Sequence, residues 1–542
     1  MENKDEKIVL SSGDNVLNFK VPDWNKSMSD AIKDSPLYKL AAKPGKLQGE
    51  SNMVMLEQSV TTNGWDTVSI CRVSALNAKI IADKTYPDHM DIIEPGGAIA
   101  LDGDFGPWQV VTGGDGKNVK IHIPFNMGNY KGINMGRGDA FDISNVSVDI
   151  LVKLQYFPLV TGEVMEDGDY TLTVSTDSPS PTEPIAAVIN LTDPSGLIDD
   201  VNKSILKGEI EKWLNIPENL KSFDTLFATV MINNMGESSK DFAWLKSTYT
   251  SYAYTDHGTD ESSIFGILCM TNNNPHDNLP NQLPAVSLKA ENNALFVISR
   301  EAFVKYQLLP ALPEIFEGTS SSDYILDESG LVVNATNIQL DPVKVGLINY
   351  YPVATKFEIA FDDSYIQTTV DVDCEVSPGI VSKTTIISKQ TLVMGYNDNH
   401  EKIMTYQNVG EPTTVNSVDV AVGIIITEAI LGIIASIVTV VAGKIAGKIA
   451  AIVVGIIVAF IVATISIIIH VIIEKAIAEG IQAAIPSVEP MVKVAASQVK
   501  WPFCCEGGLD LTGILYSGSI TLEGNLAIEE QFQIQNGRLI CA

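Results

Sequence analysis

The sequence predicts an α+β protein in which antiparallel sheets pack against helices. Three features predict it: strict apolar–polar alternation over several long stretches, a few stretches with helical spacing and capping residues, and Gly, Pro, Asn and Asp at the junctions. Composition agrees, since 45% of the 542 residues are hydrophobic and 19% are charged, the balance of a globular chain. That length allows roughly two to four cores.

The elements follow in chain order. Residues 1–60 are polar, interrupted by Pro22, Pro36 and Pro44, and read as an N-terminal extension. Asn63 can cap a helix, with Asp66 three residues on, where a carboxylate suits a helix start. The stretch GWDTVSICRVSALNAKIIAD then sets Trp65, Val68, Val73, Leu76 and Ile80 on one apolar face, and Tyr86-Pro87 ends it. Strands are expected to dominate from about residue 90 to about residue 290. From Asn145 to Tyr156, Val146, Val148, Ile150, Val152 and Leu154 alternate with polar residues, and Tyr170, Leu172 and Val174 repeat the pattern. VSTDSPSPTEP, from Val174 to Pro184, reads as a loop, and Leu197 to Leu214 as a helix.

A second cycle begins at Ser299, which can cap a helix through Phe303, Tyr306 and Leu309 to Pro310 or Pro313. In the strand that follows, Ile366, Val370, Val372, Cys374 and Val376 face one way, while Gln367, Thr369, Asp371, Asp373 and Glu375 face the other. ILYSGSITLEGNL and EQFQIQ close the chain as strands. This order divides the chain after the extension into two helix-plus-sheet modules, residues 61–295 and 296–542.

Charge separates a body from an insert. The net charge is −30, which argues against nucleic acid and against general adhesion to anionic lipid. From Val418 to Lys500, however, the acids Asp419, Glu428, Glu474, Glu479 and Glu489 balance the bases Lys444, Lys448, Lys475, Lys493 and Lys500. Within this neutral region, residues 418–485 hold AILGIIASIVTVVAG, a GKIAGK break, and a charge-free run from Ile449 to Ile469. As a helix that run measures roughly 31 Å, close to the hydrocarbon thickness of a bilayer. Glycine and alanine favour a close-packed helical hairpin over strands. The hairpin is buried by the protein's own sheets, inserted into membrane during action, or a constitutive anchor. An acidic body makes the anchor the weakest of the three. In water the exposed apolar area would far exceed what a soluble monomer carries.

Catalytic and metal signatures are weak. Cys71, Cys269, Cys374, Cys504, Cys505 and Cys541 lack a C-x-x-C spacing and read as reduced thiols. His89, His122, His257, His276, His400 and His470 form no zinc motif. His470, at the end of the apolar run, could gain charge in an acidic compartment. Gly113-Gly114-Asp115-Gly116-Lys117 lacks P-loop spacing and reads as a hairpin turn. The acid pairs Asp102/Asp104, Asp362/Asp363 and Asp371/Asp373 lack a full oxygen-ligand set for calcium. No metal or cofactor is expected. The opening MENKDEKIVLSSGDN has no apolar h-region, which predicts synthesis in the cytoplasm without a signal peptide.

Four segments together carry a resemblance: NGWDTVSICRVSALN (63–77), FGPWQVVTGGDGKNVKIHIPF (105–125), FAWLKSTYTSYAY (242–254) with ILCMT (267–271), and WPF followed by LYSGSITLEGNL (501–526). In this shared order they resemble the clostridial P-forty-seven and OrfX proteins, encoded beside botulinum-type neurotoxin genes and with relatives in insecticidal clusters. The resemblance implies an elongated TULIP (tubular lipid-binding) fold, with long helices wrapped by highly curved antiparallel sheets around an apolar groove. It implies no catalytic residue, so the chain is not expected to be an enzyme. The expected function is binding of lipid or another apolar ligand for a bacterial toxin system, with release from the cell alongside a toxin complex. A membrane-inserting toxin and a protein–protein component of a toxin complex are the alternatives. Lipid or membrane and other toxin-cluster proteins are the expected partners. The expected lining is Trp65, Val68, Leu76 and Ile80 on the wrapped helix, with Ile433, Ile437, Ile452, Ile456 and Phe460 of the insert.

Overall fold

The computed structural model describes residues 60–442 and 509–526 with interruptions, and strand pieces within 7–20, 499–500 and 532–541. β1 (Thr67–Arg72) runs straight into α1 (Val73–Asp83), with Arg72 at the junction in an extended conformation. β2 (Val119–Lys131), β3 (Ser147–Val152) and β4 (Ala186–Thr192) belong to a seven-stranded sheet. α2 (Asp200–Leu214) packs on β4. β5 (Ser247–Thr255), β6 (Ile264–Thr271) and β7 (Ala294–Ser299) return to β1.

The hairpin β8 (Val343–Val345) and β9 (Ile348–Tyr350) precedes β10 (Val353–Phe361), β11 (Ile366–Ser377), β12 (Ile380–Tyr396) and β13 (Thr413–Val420). These last four strands are half of an eight-stranded sheet. Residues 429–442 form α3. β14 (Leu509–Tyr516) and β15 (Ser519–Leu526) complete a six-stranded sheet of order β5-β6-β1-β7-β15-β14. That sheet draws strands from both sides of residue 295. Every strand pairing described is antiparallel, as where Cys71 lies opposite Phe265 on one side and Ala294 on the other.

The expected helix from Asn63 is corrected. Residues 67–72 are the third strand of the six-stranded sheet, and the helix begins only at Val73. Asn63 sits at φ +54 in a turn and caps nothing; its amide donates to the carbonyls of Gln282 and Leu283. Tertiary packing explains the misreading. β1 is covered on both faces, and its alternation of Val68 and Ile70 with Thr67 and Ser69 spans only six residues before running unbroken into α1, so the apolar positions of strand and helix together imitate one helix face. Asp66 does not serve a helix start either. Its buried carboxylate accepts from the Thr271 amide (2.8 Å), the Thr271 hydroxyl (2.9 Å) and the Asn274 side chain (2.9 Å).

Other elements follow the sequence closely. α2 starts where Asp199 accepts from the backbone N–H groups of Val201 and Asn202, and it buries Leu206, Ile210 and Leu214. The Ser299 hydroxyl accepts from Ala302 N at 3.1 Å. The helix it caps widens into a π-turn over Val304–Leu308 ahead of Pro310, which has no N–H to donate. The stretch from Asn145 is two strands rather than one. β3 stays in the seven-stranded sheet, while Leu154–Thr161 joins a separate four-stranded sheet. Long helices wrapped by the sheets are not found among the described residues, where α2, at 15 residues, is the longest helix.

On the outer face of the seven-stranded sheet, Asp149 meets His122 (2.8 Å), Lys120 (3.2 Å) and Asn190 (3.4 Å). Burial alone raises its carboxyl, but these hydrogen bonds outweigh burial and hold it below the ordinary carboxylate range. The stabilisation is therefore present above that range and is lost as pH falls through the depressed value. Denaturant titrations down to acid pH are expected to show that loss in the wild type and a flatter profile in Asp149→Asn. Asp66→Ala strands three donors, two of them on a fully buried threonine, and is expected to cost about 3 kcal/mol or more in the same assay. Ser299→Ala, which removes one cap, is expected to cost about 1 kcal/mol.

Candidate apolar site

The expected lining residues that are described fall into two separate cores. Gly64 at φ +92 turns the chain so that Trp65 enters a small cluster with Val68, Ile70, Leu268, Met270 and Val297. Trp65 donates its indole N–H to Pro280 O at 2.9 Å and stacks with Tyr249 at 6.0 Å. Val68 is fully buried there. Neither residue lies on a helix, which corrects their assignment to the wrapped one. Leu76 and Ile80 do lie on α1 and enter the main core on the other side of β1. Asn77 fixes that helix by exchanging two hydrogen bonds with the Val110 backbone, at 2.8 and 2.7 Å.

α3 is the described part of the apolar insert. Ile434, Ile437, Val438, Val441 and Ala442 are buried in the main core, at helical spacing. Ile433 is half-buried against the same core. Ala429, Gly432 and Ser436 face outward. The hydroxyls of Ser436 and Thr439 donate to the carbonyls of Gly432 and Ala435, both at 2.8 Å, so the helix satisfies its own polar groups. The structure thus brings Leu76, Ile80 and Ile437 into one core and keeps Trp65 and Val68 in another. Ile452, Ile456, Phe460 and His470 lie outside the described residues, as does the second limb of the expected hairpin. No helix among the described residues is long and apolar enough to cross a membrane.

The polar groups offer little chemistry. Burial pushes the Cys71 thiol well up and raises Cys269 and Cys374 to about 11, so these thiols are poor nucleophiles. Gly113 N donates to the Asp256 carboxylate at 2.7 Å, which occupies the N–H that a phosphate would need. Gly113 and Gly116 take positive φ in the turn between Gln109–Val110 and β2. Among the described residues no group of His, Cys, Asp and Glu is arranged to hold a metal. The sequence reading missed one apolar surface, at the tip of the β8–β9 hairpin, where Leu347, Ile348 and Tyr351 are exposed. The signal was the string VGLINYY, with apolar residues in and beside a glycine turn.

A model of the OrfX-like family (Protein OrfX2/OrfX3/P47) matches residues 62–524. The chain belongs to this family of clostridial toxin-cluster proteins. The OrfX-like chain is 28% identical over 397 residues to Protein OrfX3 of Paraclostridium bifermentans, covering 68% of this chain and 79% of the relative. It is 24% identical over 387 residues to Protein OrfX3 of Clostridium botulinum (strain Kyoto / Type A2), covering 65% and 77%. Its fold is similar to that of P47 from Clostridium botulinum A2, with a TM-score of 0.61 at 15% identity over 86% of this chain and 98% of that one. P47 of Clostridium botulinum E1 gives 0.58 at 15% identity over 86% and 100%.

The two faces of α3 have opposite mutational consequences. Ile437→Ala is expected to cost about 2–5 kcal/mol of unfolding free energy, because it opens a cavity in the main core. Gly432→Ala is expected to be neutral or to stabilise by up to about 1 kcal/mol, because nothing lies within 4 Å of the added Cβ. Denaturant unfolding of both variants measures the contrast.

Proposed function

We propose that this OrfX-like chain binds lipid or another apolar ligand as an accessory component of a toxin system, without catalysing a reaction. The observation that carries the reading is the charge-free run Ile449–Ile469 in a molecule of net charge −30. The run follows α3, whose apolar stripe is already committed to the main core. Apolar side chains with no charge among them need cover from protein, lipid or a partner chain. Acyl chains moved from water into such a lining contribute about 0.8 kcal/mol per methylene.

The reading includes the tubular, wrapped arrangement implied by the resemblance, with Leu76, Ile80, Ile433 and Ile437 bordering the lining and Ile452, Ile456 and Phe460 completing it. Trp65 and Val68 stay in the proposal only as support for β1, which separates the two cores. Buried, poorly acidic thiols fit a binding protein better than a nucleophilic enzyme. The natural partners are lipid and other products of the toxin cluster, with insecticidal use and release from the cell beside a toxin complex as part of the same proposal.

Native mass spectrometry of the purified protein, followed by lipid extraction, tests this. The expected result is bound lipid, or uptake of an added fluorescent fatty acid by protein stripped of lipid. Protein that carries no lipid and takes none up overturns the reading. Liposome leakage separates carriage from insertion. Leakage abolished by Gly455→Lys, within the charge-free run, would favour a membrane-inserting toxin, whereas lipid extraction without leakage favours carriage.

A further inference from the structure

We propose that the β8–β9 hairpin is a membrane-docking tip that seats the protein on a zwitterionic bilayer surface. This extends the reading that the chain meets lipid by naming where it touches the bilayer. The hairpin is held at its base and bare at its apex. Val343 and Tyr350 pair across the strands and are buried in the main core. Gly346 takes φ +64 as the first residue of the two-residue turn, a conformation that suits glycine. The second turn residue, Leu347, is 95% exposed; Ile348 and Tyr351 follow at 58% and 61%.

Position in the fold identifies the occupant. Val353 pairs with Asp373, Asp373 with Lys383 and Lys383 with Ser417. Tyr351 therefore lies beyond that row, toward the end of the sheet where β11 turns into β12 and β13 ends at Val420. At that same end Val422 is fully exposed, and Ile424 packs against the turn glycine Gly379. The chain continues from there into α3 and then the charge-free run. One end of the eight-stranded sheet thus carries both the exposed apolar tip and the chain that leads into α3, the first part of the apolar insert.

The shape and chemistry of the tip fit a bilayer interface. It is convex and narrow, so it can sink between headgroups without a complementary pocket. Tyr351 presents an apolar ring with a polar end, the type of side chain that settles at headgroup level. Lys344 and Asn349 face each other across the strands and are exposed, available to phosphate and carbonyl oxygens. The nearby acids Asp341 and Glu375 are exposed, and Asp419 is paired with Lys383 at 2.8 Å. With a net charge of −30 behind it, the tip is repelled by anionic headgroups, so docking is driven by apolar burial on neutral lipid.

Flotation with phosphatidylcholine vesicles tests the proposal on the full chain. Wild type is expected to float, with little change when salt is raised. L347D/I348D is expected to partition at least about tenfold more weakly, while Ile93→Asp, at a site 71% exposed on another sheet, floats as wild type does. Leu347→Trp keeps the tip apolar and is expected to float and to be quenched by brominated lipid. Wild type that does not float, flotation unchanged by L347D/I348D, or an unquenched Leu347→Trp overturns the docking proposal. These outcomes are separable from failure of the lipid-binding reading. Hairpin-dependent flotation by protein that carries no lipid refutes carriage alone, and carried lipid with hairpin-independent flotation refutes docking alone.

Discussion

The structure depends on one short strand being covered on both sides. β1 pairs with β6 on one edge and β7 on the other, so its six residues have sheet neighbours from residues 264–271 and 294–299. β7 in turn pairs with β15, which brings residues 519–526 into the same sheet. Val68 and Ile70 point into one core and Cys71 into the other. Arg72, at the strand's end, donates to the carbonyls of Asn292, Leu288, Lys289 and Glu261, gathering the loops that flank its neighbours. A guanidinium in that position spans several backbone acceptors at once, which a lysine ammonium cannot do with the same geometry. Segments far apart in sequence thus share one antiparallel ladder, and both cores are defined by its two faces.

Elements with one wet face were legible in the sequence. In β11, Ile366, Val370, Val372, Cys374 and Val376 are buried while Gln367, Asp371 and Asp373 are partly open, because period-two patterning records a sheet with solvent on one side. Thr369 breaks the pattern by being buried too. The cap at Ser299 was legible for the same local reason: its hydroxyl accepts from a backbone N–H three residues on. β1 was illegible as a strand because its short alternation of Val68 and Ile70 with Thr67 and Ser69 runs without a turn residue into α1, so the two read as one helix. The break after Val152 was invisible because Leu154 continues the alternation while serving a different sheet. The site was legible only as a composition. Sequence could mark Leu76, Ile80 and Ile437 as apolar, but not that they share a core from which Trp65 and Val68 are separated by a strand.

The acidic body and its apolar insert pose a single physical problem, and α3 solves part of it. A helix apolar on every side would have to be enclosed completely, whereas α3 places its large side chains inward and Ala429, Gly432 and Ser436 outward. Small residues outside leave a smooth surface with little apolar area, and the two hydroxyls turn back onto the helix's own carbonyls. Nothing comparable is available to Ile449–Ile469, where isoleucine and valine recur at every helical angle. The demand for cover therefore rises along the insert, from a stripe that the core satisfies to a run that needs enclosure all round.

That gradient bears on whether the insert can leave the protein. Ile434, Ile437, Val438 and Val441 are each almost fully buried. Returning four such side chains to water costs roughly 6–12 kcal/mol, at about 1.5–3 kcal/mol each. A whole domain is stable by only about 5–15 kcal/mol, so withdrawing α3 is comparable to unfolding the core it completes. A bilayer could refund the transfer term, but not the packing lost by Leu76, Ile80 and the strands behind them. α3 thus acts as a fixed root of the insert.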